Sequence, residues 1–254
     1  MLVVVTSALV LLGVVALVLS QTVFKGALTA EDPPTPTALE SREGGESEYV
    51  PDSDDPEIAP PPPIFTQKPT SNCFIPPEEQ SPTSSGTTVR GGALEYTRPS
   101  TWDFPWYESE RPYMTQVGGY GRQADTDWYS VATIGAVKWD DEEGGYPGTE
   151  QASVTLFQCY ATTSGMLAAL GENPKVTDYR SEATTVDGHE AWITQATYHF
   201  EDPEYLEHTS SSIITSIVVE TDSGPQALVS DVAADMPEHV QDLDSIIDSL
   251  RVVA

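Results

Sequence analysis

Cys73 and Cys159 are the only two cysteines of this 254-residue chain. Such a pair suits a single disulfide in an oxidising compartment, closing a loop of roughly 87 residues. The alternative is two unpaired thiols, one exposed and one buried. Nucleophilic chemistry has little to build on. No Gly-x-Ser-x-Gly turn is present to hold a serine on a strained elbow, and Ser230, Asp231 and His239 read as a chance grouping rather than a triad. The four histidines, His189, His199, His208 and His239, form no His-x-x-x-His or other zinc-like spacing. His189 and His199 fall on one expected strand about 33 Å apart, too far to share a metal ion. Each histidine is expected to play an ordinary surface role. The run Asp140, Asp141, Glu142 and Glu143 offers hard oxygen ligands for Ca²⁺, but consecutive side chains diverge, and a solvated loop is the preferred reading. No catalytic, cofactor-binding or metal residue is assigned, and no cofactor is expected.

Aromatic residues are the more informative group. Trp102, Phe104, Trp106, Tyr107 and Tyr113, with Tyr120 beyond, gather in one stretch. Large rigid rings make contact area at low entropic cost and so recur in recognition surfaces, but they also fill cores; core packing is the preferred reading, with a recognition face over Trp102, Phe104, Trp106, Tyr107 and Tyr113 as the alternative.

The elements that would carry these groups follow from patterning. Gly92–Thr97 reads as a first strand ended by Pro99, and Trp128–Trp139 as a β-rich second. Between them, Trp102–Tyr113 is expected to be irregular and partly buried. Thr149 is a plausible N-cap for a helix with Ala152, Leu156, Cys159 and Tyr160 on one face, interrupted near Gly165 and continuing to Leu170. Val176–Val186 and His189–Phe200 flank Asp187-Gly188, a two-residue hairpin signal. A polar loop over Glu201–Ser211 leads to Ile213–Glu220, which turns through Thr221–Gly224 into Gln226–Ala233. A closing helix is expected from Asp235-Met-Pro-Glu238, with Asp235 as cap, Val240, Leu243, Ile247 and Leu250 as its apolar stripe, and Gln241, Asp242 and Asp248 facing water. Arg251–Val253 is short enough to add to the sheet edge. This order predicts an α+β fold: a single antiparallel sheet flanked by helices on both faces, in three layers.

The domain is preceded by two segments of different composition. Leu2–Ser20 is an uncharged apolar run, just under 30 Å long as a helix, which predicts a transmembrane helix or signal anchor over residues 1–20. A cleaved signal is the alternative, with Val18-Leu19-Ser20 and Leu28-Thr29-Ala30 as cleavage candidates. Residues 21–72 are rich in proline and acid, including Pro60–Pro63, and are expected to form a disordered linker spanning about 35 Å as a flexible coil. Residues 73–254 form the folded part. The formal net charge of −29 argues against nucleic acid as a partner, since binding a polyphosphate needs a positive footprint.

The part from Gly92 to Val253 resembles the PsbP-like fold, and within it the LpqN-type cell-envelope domains of actinobacteria. The resemblance is carried by Val186-Asp-Gly-His-Glu-Ala-Trp192, the hydrophobic pair Ile213–Val219 and Ala227–Val232, the Cys159 helix, and the closing Ile246-Ile-Asp-Ser-Leu-Arg-Val252. It implies a non-enzymatic binding or adaptor domain of the bacterial cell envelope, held outside the cytoplasm by the N-terminal helix or secreted after its cleavage. The expected partner is a protein or envelope component whose identity the sequence does not name. A structural part of an envelope or secretion machine, or an extracytoplasmic enzyme with unrecognised chemistry, are the competing readings.

Overall fold

The computed structural model describes residues 73–253 apart from 78, 107–110, 141–143, 163, 172–173 and 202–205. The expected membrane span over 1–20, the linker over 21–72 and Tyr107 therefore lie outside the described residues. Among the described residues no helix is long and apolar enough to cross a membrane.

Among the described residues, ten strands and three short helices follow in the order β1 (Thr88–Gly91), β2 (Leu94–Thr97), β3 (Phe104–Pro105), β4 (Met114–Asp125), β5 (Trp128–Val137), α1 (Thr149–Ala161), α2 (Ser164–Leu170), β6 (Lys175–Val186), β7 (His189–His199), β8 (Ser211–Val219), β9 (Gln226–Ala233), α3 (Pro237–Asp248) and β10 (Arg251–Val252). The strands form two antiparallel sheets, one of seven strands in the order β3-β4-β5-β9-β8-β7-β6 and one of three in the order β1-β2-β10. The expectation of one sheet with helices on both faces does not hold. The fold is mostly β, and a second sheet covers part of the face on which a helix alone was expected.

The correction has a local cause. Β4 carries Gly118, Gly119 and Gly121, residues that depress strand propensity and hide a 12-residue strand from pattern reading. The glycines serve close approach. A β-carbon at Gly118 would stand 1.8 Å from the carbonyl oxygen of Arg90, and one at Gly91 would stand 2.1 Å from that of Ile134. The small sheet thus lies backbone against backbone on the large one.

Both faces of the large sheet are buried, so strands such as β8 and β9 read as continuous apolar runs. On one face, Leu156, Phe157 and Tyr160 of α1 pack with Leu170, Val176, Tyr198, Ile214, Val218 and Val229. On the other, Val89, Leu94 and Tyr96 of the small sheet pack with Ile134, Ile217, Leu228, Val232 and with Leu243 and Ile246 of α3. Gly148, at φ 95°, rather than Thr149 precedes the first turn of α1. Met236 occupies the cap of α3, while Asp235 accepts hydrogen bonds from Thr209 and Ser210. The buried stripe of α3 is His239, Leu243 and Ile246, continuing to Leu250: Leu243 and Leu250 are buried as expected, while His239 and Ile246 take the places expected for Val240 and Ile247. The Asp187-Gly188 turn forms as expected, with φ of 51° and 82°.

Candidate functional site

The aromatic stretch divides between two cores and the surface. Trp102 is fully buried beside α3, and its Nε1–H donates to Asp242 Oδ2 at 2.9 Å. Arg122 Nη1 donates to the same oxygen at 3.0 Å, as does Thr101 at 3.2 Å, so Asp242 joins three elements instead of facing water. Tyr113 is buried in the other core, stacked on Trp139 with ring centroids 4.2 Å apart. Tyr120 is half-buried under the guanidinium of Arg98, 4.5 Å from its ring centroid.

Phe104 and Trp106 behave differently. Β3 lays Phe104 opposite Gly121 and Pro105 opposite Tyr120, and the Trp106 amide donates to the Gly119 carbonyl at 2.9 Å. The Trp106 ring lies over Gly121, where a β-carbon would stand 3.7 Å from its Cε3, ordinary van der Waals contact. Tyr129, on β5, completes a cluster: its ring centroid lies 4.8 Å from Phe104 and 5.6 Å from Trp106, which are 5.5 Å from each other. Phe104 is 45% exposed; among the described residues only Ile75, at 42%, is a comparably exposed large apolar side chain. Asp103 and Asp127, both exposed, adjoin the cluster along the chain. The three rings touch one another, so they form a ridge with an apolar crest rather than an open cage. Sequence reasoning missed Tyr129, which joins Phe104 only through the β3-β4-β5 pairing; the Trp128-Tyr129 pair opening a strand was the available signal.

The polar residues singled out earlier do not converge. Ser230 and Asp231 alternate to opposite faces of β9. Asp231 accepts a hydrogen bond from Ser212, and burial pushes its pKa up to about 7 despite that bond and the charge of Arg111. His239 is only 2% exposed, which corrects its expected surface role; the other three histidines are half-buried or exposed. Its Nδ1 lies 2.7 Å from Ser130 Oγ, which also accepts the Ala233 amide at 3.0 Å. Burial first, and Arg122 next, hold the His239 pKa below its ordinary value. Ser130 is fully buried too, so this pair fastens α3 to the sheet, out of reach of any substrate. Residues 141–143 of the acidic run lie outside the described residues. Among the described residues no three His, Cys, Asp or Glu side chains are grouped to hold a metal ion.

Cys73 and Cys159 are joined in a disulfide. From Cys73 the chain runs as a strap along β4: Phe74 accepts the Tyr113 amide at 2.9 Å, Pro77 the Thr115 hydroxyl at 3.4 Å, and Ser81 donates to the Val117 carbonyl at 2.6 Å.

No family model matches the chain, and no curated protein matches it in sequence. Solved structures do. LpqN, involved in cell envelope biogenesis of Mycobacterium tuberculosis, is 12% identical, with 63% of this chain and 83% of that one covered and a TM-score of 0.32. Cyanobacterial PsbP of Synechocystis sp. PCC 6803 is 13% identical, with 68% and 98% covered and a TM-score of 0.40. The likeness is one of fold. It brings no activity, ligand or location to this chain.

Proposed function

We propose that the folded domain is a non-catalytic binding module of the bacterial cell envelope, working outside the cytoplasm, and that the Phe104–Trp106–Tyr129 ridge is its contact surface for a cationic protein segment. The ridge carries the reading. Three touching aromatic rings with an exposed crest leave water-contacting apolar surface that a partner would bury. The neighbouring Asp103 and Asp127, on a chain of net charge −29, favour lysine or arginine in that partner, with cation–π contact to the rings as a further gain. The Cys73–Cys159 disulfide supports an oxidising compartment.

The test titrates the full chain with peptides that share one aliphatic anchor and carry either lysine and arginine or glutamate. Cationic peptides should bind, more weakly at higher salt, and Trp106→Ala or Phe104→Ala should weaken binding about tenfold or more while leaving the unfolding transition in place. Equal binding of the acidic set, indifference to Trp106→Ala, or binding of neutral oligosaccharides alone would reject the proposal.

A further inference from the structure

The two edges of the seven-stranded sheet are finished differently. At one, β3 spans two residues and the strap from Cys73 covers the start of β4. At the other stands β6, 12 residues long, with no further strand beside it among the described residues.

The direction of the free backbone groups on β6 follows from its neighbours. The Glu220 amide donates to the Glu190 carbonyl, so Glu190 turns toward β8 and the alternate residues Ala191, Ile193 and Gln195 turn toward β6. Their partners Thr184, Glu182 and Arg180 are thereby used. Ser181, Ala183 and Thr185 direct their amides and carbonyls outward, where an antiparallel strand could pair with them.

Charge selects that strand. Arg180 and Glu182 flank Ser181 on one face, with side chains 46% and 58% exposed and a long 3.4 Å ion pair between them. If a second copy of β6 approaches antiparallel about a twofold axis at Ser181, Arg180 of each copy stands opposite Glu182 of the other, in the closely spaced non-hydrogen-bonded positions. Two reciprocal ion pairs form at once. An axis at Arg180 would oppose arginine to arginine, and one at Glu182 glutamate to glutamate. Charges on an edge ordinarily prevent pairing; this arrangement disfavours those two symmetric registers and admits the one centred between them. The bulge between Thr177 and Arg180, with Asp178 at φ 54°, bounds the regular edge on its other side, so in this register the regular pairing is the short stretch Arg180–Glu182 of each copy, with Ala183 and Thr185 falling opposite Tyr179 and Thr177 at the bulge.

We infer that β6 is a homotypic pairing edge, and that two copies of the chain associate through it about a twofold axis at Ser181. The partner is a second copy of the same domain, and the contact is independent of the aromatic ridge.

The experiment uses the full chain, expressed in the oxidising compartment and resolved without reductant. In Ser181→Cys the two introduced cysteines would face each other across a hydrogen-bonded pair, about 5.5 Å between α-carbons, within disulfide reach. A covalent dimer is expected. Thr185→Cys places its two cysteines about 27 Å apart across the same axis and should give none. Adding Arg180→Glu to Ser181→Cys should reduce the dimer about tenfold, and adding Glu182→Arg as well should restore it. Because Ser181 accepts the Trp192 indole N–H, dimerisation of the Arg180→Glu and charge-swapped chains with native Ser181 is read in parallel by a lysine-independent chemical cross-linker. A monomer in both formats, equal cross-linking at 181 and 185, or no recovery on charge swapping would overturn the inference.

Discussion

The two faces of the large sheet are closed by different devices. One is covered by α1 and α2, whose buried residues pack on the sheet and whose cover is tied down covalently at Cys159. The other is covered by three short strands and α3, held by packing, by glycine-permitted backbone approach, and by the polar fastenings Ser130–His239 and Trp102–Asp242–Arg122. A helical cover brings its own backbone hydrogen bonds and needs only an apolar stripe and an anchor. A cover made of two- and four-residue strands satisfies less of its backbone internally, so it leans on side chains from several distant segments.

The largest effect separating the two faces should come from the disulfide. Cys73→Ser removes a crosslink between residues 86 apart, and the chain-entropy account gives a loss of about 4.6 kcal/mol, read as a shifted denaturant midpoint. A loss smaller than that from truncating the opposite face would break the comparison. Leu243→Ala tests that opposite face: Leu243 is 2% exposed, and the cavity should cost about 3 kcal/mol, with amide exchange rising first in β1, β2 and β10.

Acid and base should act on the faces in opposite directions. Asp231, on the helix-covered face, has its pKa raised from 3.8 to about 7, so between these values the folded chain holds a proton that the unfolded chain has released. Its stabilisation is complete below about pH 4 and is lost as pH rises through 7. His239, on the other face, has its pKa lowered from 6.5, so its contribution is present above 6.5 and is lost as pH falls toward its folded value. Asp231→Asn should therefore make stability rise more steeply between pH 4.5 and 7, by at most about 1.4 kcal/mol per pH unit for one proton. An unchanged pH profile would show that Asp231 is not the buried acid described. The smallest expected effect is that of Thr101→Val, which removes one exposed hydrogen bond to Asp242; about 0.5 kcal/mol is expected, read by the same denaturant titration.

The difference between the faces also decides what could be read from residues alone. Α1, the β6–β7 hairpin and the β8–β9 pair announce themselves through helical spacing, Asp187-Gly188 and β-branched runs. Β1 and β4 do not, because the glycines that admit the second sheet are the residues that erase a strand pattern. In α3, Leu243 and Leu250 are legible as stripe residues, whereas His239 and Ile246 are not picked over Val240 and Ile247 because a buried histidine does not look apolar and Asp242 does not look tethered. In the aromatic stretch, Phe104 and Trp106 were legible as surface candidates, whereas Trp102 and Tyr113 belong to two separate cores and Tyr129 arrives from another strand.

The bond between Cys73 and Cys159 also sets how the domain bears load. Tension arriving along the residues before Cys73 passes through sulfur into α1 and the sheet beneath it, bypassing the three hydrogen bonds of the strap. Once reduced, the same pull would meet the strap directly and peel it from β4 one bond at a time, so the oxidised domain should withstand the greater force.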